Sequence, residues 1–297
     1  MALTLDKIKI QPIKISIKKS FMVLILDAVS KKSVSSKLLG REPKYWVKFA
    51  CRNLPSKIIE YTVGDNILES IREYIDDSFD YTIVLLSWTP LLELKDIDDL
   101  KDYAAYKSIN LCKLPVGYIV NNKYYKANEE YMVDSVYTSN TDNFYIVENK
   151  KQYKYALEVL QDRINNFHID NMVDITKPSS VYIEPEVDID GGVTICPRVS
   201  LKGATKVLKD TIIKDGAVIE NSSVGIKCFI GGANIENSNI GDNTCIGSFC
   251  NIANCKIGQN VTIEPGCNLN GCNIPDGEEI NANTKVGDTN DSSSGTR

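Results

Sequence analysis

The sequence predicts a two-part chain, an α/β domain built on a parallel sheet followed by a parallel β-helix. Three observations carry this. The segment Asn221-Ser222-Ser223-Val224-Gly225 returns as Asn237-Ser238-Asn239-Ile240-Gly241, as Asn254-Cys255-Lys256-Ile257-Gly258, and more weakly as Gly271-Cys272-Asn273-Ile274-Pro275, which spaces Val224, Ile240, Ile257 and Ile274 by 16, 17 and 17 positions. Other aliphatic residues stand between them at steps of five or six, from Ile246 and Ile252 to Ile280 and Val286. A period near seventeen cut into three short sides describes a triangular coil, and stacked coils bury a continuous core. Second, Val181, Val187, Val193 and Val199 step by six, with Ile183, Ile189, Ile195 and Leu201 two residues behind each. Third, the front half carries two apolar runs of strand length, Phe21 to Leu26 and Tyr81 to Leu86, with helical patterns between them.

Taken in order, residues 1–20 form an N-terminal extension in which Lys7, Lys9, Lys14, Lys18 and Lys19 interleave with isoleucines, unlike an apolar signal core. Residues 21–150 form the front domain. Its strand at Phe21 is followed by helices over 44–51 and 66–77 and the strand at Tyr81, an order whose strand ends face a ligand crevice. Asn121-Asn122 between Tyr118-Ile119-Val120 and Lys123-Tyr124-Tyr125 signals a hairpin. A connecting helix, read over 152–172 from Tyr155, Val159, Leu160, Ile164 and Phe167, fills the linking region 151–176. The β-helix spans 177–287 in roughly six coils, by dividing its length by the period. Residues 202–215 break the rhythm and read as a bulge or small loop. Residues 288–297 are polar and aperiodic, and read as a disordered tail.

Composition bounds the function. With 297 residues, 43% hydrophobic and a net charge of -5, the chain offers no basic field for phosphate backbones, which excludes nucleic acid as a general partner. No stretch approaches the roughly 18 to 20 apolar residues that span a bilayer, so no membrane partner is expected and the setting predicted is cytoplasmic. The nine cysteines include no Cys-x-x-Cys pair, and the single histidine, His168, lies outside the repeat. Cys250 and Cys267, like Cys255 and Cys272, are 17 apart and two residues ahead of a repeat aliphatic, which predicts inward-facing ladders in place of a metal site. Asn237 and Asn254 fall at coil corners, where asparagine tolerates left-handed backbone and stacked amides can bond from coil to coil.

The six-residue stepping resembles the hexapeptide repeat of left-handed β-helix proteins, which implies left-handed coils and a homotrimer of parallel prisms. The junction resembles a further family. Val147-Glu148-Asn149-Lys150-Lys151-Gln152-Tyr153, the helix from Ala156 to Ile164, Asp174-Ile175-Thr176-Lys177-Pro178 and Val181-Tyr182-Ile183-Glu184-Pro185-Glu186-Val187 are similar to the junction of the bifunctional enzyme that makes UDP-N-acetylglucosamine. In that family a uridyltransferase domain precedes a left-handed β-helix acetyltransferase. Glu130-Tyr131-Met132-Val133-Asp134 resembles its Glu-Tyr-Tyr-Leu-Thr-Asp motif, and Pro90-Leu91-Leu92 the end of its Gly-Asp-x-Pro-Leu-Leu motif. The resemblance implies a nucleotidyltransferase-like, Rossmann-like front domain, shorter than the family's, and a sugar nucleotide or sugar phosphate as ligand.

The departures bear on chemistry. The family cradles a triphosphate with a Gly-x-Gly-Thr-Arg loop after its first strand, whereas here Leu26 is followed by Asp27-Ala28-Val29-Ser30-Lys31-Lys32-Ser33-Val34. Lys31, Lys32 and Lys37 supply positive charge nearby, and Lys37 fits the lysine that follows the family's loop. Magnesium needs hard oxygen ligands, yet the family's aspartate ligand corresponds to Trp88; its second ligand corresponds to Asn149, which also reads as a turn or capping residue. Glu130 and Asp134 read either as sugar contacts or as a polar loop face. Acyl transfer on such a β-helix uses a histidine base, and none follows His168. Two main readings stand: a scaffold trimer that binds a sugar nucleotide with catalysis lost or much reduced, and an active sugar-1-phosphate nucleotidyltransferase with a site rearranged around Lys37, Glu130, Asp134 and Asn149. A hexapeptide-repeat acyltransferase is the third.

Overall fold

The computed structural model describes residues 19–28 and 37–287. The extension up to residue 18, the lysines Lys31 and Lys32, and the tail 288–297 lie outside the described residues. The chain divides into two compact units, one of residues 1–35 and 43–148 and one of residues 36–42 and 149–297.

The first unit is a six-stranded mixed sheet. Its strands are β1 (Phe21–Ala28), β2 (Ser56–Tyr61), β3 (Tyr81–Leu86), β4 (Leu111–Lys113), β5 (Tyr118–Asn121) and β6 (Ser135–Val136), arranged β2-β1-β3-β5-β4-β6. β1 pairs in parallel with both β2 and β3, while β5 runs antiparallel to β3 and to β4. The helices are α1 (Pro43–Ala50), α2 (Ile67–Ser70), α3 (Leu94–Lys107) and α4 (Asn122–Ala127). Val23, Ile25, Ile83 and Leu85 pack with Val47 of α1 and Ile97 and Leu100 of α3, whereas Met22, Leu24, Leu26 and Val84 pack with Ile71 and Tyr125. Burial on both faces is why β1 and β3 read as unbroken apolar runs.

Two local expectations give way. The helix expected over 66–77 is one α-helical turn, α2, capped by the Asn66 side chain, followed by a 3-10 turn at Arg72–Tyr74. Ile67, Ile71 and Ile75 keep helical spacing, but Ile75 is extended and buried, because the chain straightens there toward β3. The hairpin is also displaced. Asn121 caps α4 through its side chain, accepting from the Tyr124 amide at 3.1 Å, so Asn121-Asn122 starts a helix. The turn falls earlier, between β4 and β5, where Gly117 adopts φ 110° and the Leu114 amide donates to the Gly117 carbonyl.

The second unit joins helix α5 (Lys150–Asp170) to a parallel β-solenoid of about seven turns, with ladders of seven, seven and six short strands on its three faces. The expected six coils starting at residue 177 are one too few: the first strand is Asp174–Ile175, paired with Thr194–Ile195. Residues 202–215 form no loop, since Lys206–Val207 and Ile212–Ile213 stay in the ladders. A single shortened span, Ile230 to Ile235 where Ile213 to Ile219 covers six positions, accounts for the one 16-residue step. Otherwise the rhythm changes at one corner: Leu201 to Val207 spans six positions where Ile219 to Val224, Ile235 to Ile240 and Ile252 to Ile257 span five, so the step from coil to coil falls from 18 (Ile183 to Leu201) to 17. At that corner Gly203, Asn221, Asn237, Asn254 and Gly271 all take left-handed backbone, as the asparagine motif predicts. The main amide ladder lies on the flat side instead, where the Asn234 Nδ2 donates to Asn251 at 3.0 Å and Asn251 to Asn268 at 3.5 Å.

Inside the corner runs a polar column. Thr205, Ser222, Ser238, Cys255 and Cys272 occupy one position on successive coils, and the amides of Ser238 and Cys255 each donate at 3.0 Å to the hydroxyl one coil before. These hydroxyls are buried and satisfied, so they cost the core little. Around them Ile219, Ile230, Ile235, Ile246, Ile252 and Leu269 are fully buried, each contributing roughly 1.5–3 kcal/mol relative to exposure.

Candidate functional site

The front sheet places chemistry at one edge. β1 pairs with β2 on one side and β3 on the other, so the strand order switches at the carboxyl ends of β1 and β3, the place where α/β sheets take their ligands. Asp27 stands at the end of β1 and Ser87 one residue past β3. The Ser87 Oγ donates to Asp27 Oδ1 at 2.9 Å, and Lys44 Nζ, from the first turn of α1, reaches Asp27 Oδ2 at 3.0 Å. The Ser87 amide also donates to the Leu26 carbonyl, so this hydroxyl is fixed by the sheet itself. Ser87 is buried; Asp27 and Lys44 are about one-third exposed at 31% and 38%. The edge therefore presents a carboxylate held by one cation and one hydroxyl. Sequence reasoning passed over these three residues, although Asp27 and Ser87 are the first polar residues after the two apolar strand runs.

Of the residues singled out by sequence in this unit, Glu130 and Asp134 do not gather here. β4 runs in the same sense as β3, and Leu111 is level with Thr82 through Val120, so the start of β4 lies at the opposite edge. Asp134 is there, its carboxylate accepting from the amides of Asn110 at 2.9 Å and Leu111 at 3.3 Å. Along β3 this level is about 16 Å from Ser87 at the rise of a strand. Glu130 is exposed on the loop between α4 and β6. Lys37 and Asn149 belong to the second unit. Lys37 is exposed and its carbonyl accepts from the Tyr153 hydroxyl at 2.9 Å, while Arg41 Nε meets Glu186 Oε1 at 2.6 Å. Asn149 is the N-cap of α5, its Oδ1 accepting from the amides of Lys151 and Gln152, each at 3.0 Å. Trp88 is half-buried and its carbonyl accepts from the Val147 amide at 2.9 Å.

His168, on α5, is buried, and desolvation pushes its imidazole below the ordinary value, with Asp188 opposing. Among the described residues no group of three His, Cys, Asp or Glu side chains gathers to hold a metal ion. No helix among them is long and apolar enough to cross a membrane.

The coil geometry has relatives. The GMPPB C-terminal domain family matches residues 163–289. Over 103 residues the chain is 36% identical to the bifunctional protein GlmU of Clostridium beijerinckii, covering 35% of this chain and 23% of that one. The chain is GlmU-like through its solenoid. The GlmU of Caldanaerobacter subterraneus is 35% identical over 103 residues (35% and 22% of the two chains), and that of Acaryochloris marina 31% over 130 residues (43% and 29%). The match thus spans about a quarter of the length of these GlmU relatives. Among solved structures, the acetyltransferase domain of PglB from Neisseria gonorrhoeae FA1090 aligns over 87% of this chain and 95% of that one, at 11% identity and a TM-score of 0.30, too low to carry an assignment.

Proposed function

We propose that the protein is a relative of the sugar-1-phosphate nucleotidyltransferases that binds a sugar nucleotide or sugar phosphate with catalysis lost or much reduced, and that its left-handed β-helix assembles three copies into a cytoplasmic scaffold. One observation carries this reading. At the crevice edge, where the resembled family puts a glycine-rich cradle and a magnesium carboxylate, this chain holds the Asp27–Lys44–Ser87 cluster beside Trp88. A carboxylate there repels a triphosphate but accepts hydrogen bonds from ribose or sugar hydroxyls. Magnesium fits these residues poorly: the Trp88 side chain offers no oxygen and its carbonyl already accepts from the Val147 amide, while the Asn149 Oδ1, in the second unit, already takes two amide protons. Ile212, Phe229 and Cys245, exposed and in register on one flat side of the solenoid, support self-association. Nine free thiols suit a reducing compartment.

A second reading has an observation of its own. Asp27 offers a carboxylate one strand away from Trp88, which favours an active nucleotidyltransferase with a rearranged site. Incubation with UTP, N-acetylglucosamine 1-phosphate and magnesium, followed by pyrophosphate release, separates the two. No turnover is expected; turnover abolished by Lys37→Ala or Asp27→Asn sinks the scaffold reading. Thermal-shift titration with UDP-N-acetylglucosamine is expected to raise the melting temperature in wild type and not in Asp27→Asn. A melting temperature unmoved by millimolar ligand counts against retained binding.

A further inference from the structure

We propose that Cys255 and Cys272 form an oxidisable dithiol, a modification site at which a peroxide closes a disulfide between two successive coils. The two sulfurs are 3.0 Å apart. The backbones that carry them are already aligned: Lys256 pairs with Asn273 and Ile257 with Ile274 in a parallel ladder, and the Cys272 amide donates to the Cys255 sulfur at 3.5 Å. Neighbouring strands stand about 4.8 Å apart, inside the roughly 4.4–6.8 Å range of Cα separations that a disulfide bridges. The bond therefore needs the sulfurs to close by about 1 Å, with no coil displaced.

The other stacked pair shows why this one is singled out. Cys250 and Cys267 are both buried, and each thiol donates to a carbonyl at 3.2 Å, Glu264 and Asn281 respectively. The Cys255 thiol also reaches a carbonyl, Ala253 at 3.1 Å, but its sulfur lies 3.0 Å from that of Cys272, and Cys272 is half-buried where Cys250 and Cys267 are both buried, so this pair has the member nearer solvent.

The chemistry balances with one peroxide. The Cys272 thiolate attacks a peroxide oxygen, the O–O bond breaks, and the leaving hydroxide takes a proton to become water. The sulfenic acid formed at Cys272 is then attacked by the Cys255 sulfur. The S–S bond forms, the S–O bond breaks, and the hydroxide leaves as a second water with the Cys255 proton. Two thiols lose two electrons to one peroxide. Burial and the neighbouring thiol push Cys272 up to about 12, so the thiolate is scarce at neutral pH and the reaction quickens as pH rises, by about tenfold per unit. The product ties two coils through a 17-residue loop and constrains the unfolded chain.

The test treats the full chain with hydrogen peroxide and maps peptides without reduction. A linked Cys255–Cys272 peptide, reversed by dithiothreitol and lost in Cys255→Ser and in Cys272→Ser but kept in Cys250→Ser, is expected. The melting temperature should rise on oxidation by on the order of 5 °C in wild type and stay unmoved in the two serine variants, whose folding is checked by circular dichroism. Full retention of both thiols, a Cys250–Cys267 link, or sulfinic acid at Cys272 as the end product overturns the proposal.

Discussion

Replacing Gly241 by alanine is expected to cost about 2–3 kcal/mol, more than its small size suggests. A Cβ at this position meets the Gly258 carbonyl carbon and oxygen, each at 2.6 Å, and the Gln259 amide nitrogen at 2.7 Å, all backbone of the next coil. Ordinary contact begins at 3.4 Å, so the coils must part by roughly 0.8 Å. Two ladder bonds hold them together there, the Gly241 amide to the Ile257 carbonyl at 2.9 Å and the Asn260 amide to the Asp242 carbonyl at 2.8 Å. Stretching both past good geometry loses about 1 kcal/mol each, and the loosened packing adds to this, while reduced freedom of the unfolded chain returns about 0.5 kcal/mol. Gly271→Ala is the control. Its Cβ meets nothing within 4 Å and its φ of 62° costs about 1 kcal/mol in left-handed strain. Urea unfolding followed by far-ultraviolet circular dichroism measures both variants. If Gly241→Ala proves no more costly than Gly271→Ala, the close approach of the coils is not what selects glycine at 225, 241 and 258.

Asn149→Ala should destabilise α5 by about 1 kcal/mol through loss of its cap, read in the same unfolding assay, and Asn149→Asp should restore it. Because burial depresses His168, its contribution is present above the unfolded value of 6.5 and is lost as pH falls below it; denaturation midpoints of wild type should drop between pH 7 and pH 5 relative to His168→Leu. Phe229→Lys places charge in the exposed row with Ile212 and Cys245; if the proposed trimer forms through this row, sedimentation velocity should report trimer for wild type and monomer for the variant.

The solenoid was legible because its core repeats at fixed steps and each step names an inward side chain. The six-to-five change at the corner hid in the same pattern, since Gly203-Ala204 adds one residue without moving Leu201 or Val207 out of the ladders. The front sheet was legible in β1 and β3, buried on both faces, but Asn121-Asn122 serves a helix cap as readily as a turn, and tertiary context decides between them. The crevice cluster was hard to find because Asp27, Lys44 and Ser87 are brought together by strand order, which no local pattern reports. Asp134 read either as a sugar contact or as a polar loop face, and the direction of β4 puts it at the edge opposite Asp27, where its carboxylate accepts from two amides.

The corner marked by Gly203 and the asparagines also says where this chain tolerates changes of length. A residue added or removed there alters only the reach of a left-handed turn, and the coils already display both versions. The same change within Ser200–Lys202 or Asn234–Glu236 exchanges the inward and outward faces of a strand and puts polar side chains into the core. Insertions that leave the stack intact are therefore confined to its edges, which lets one side of the prism vary in outline while its interior stays constant.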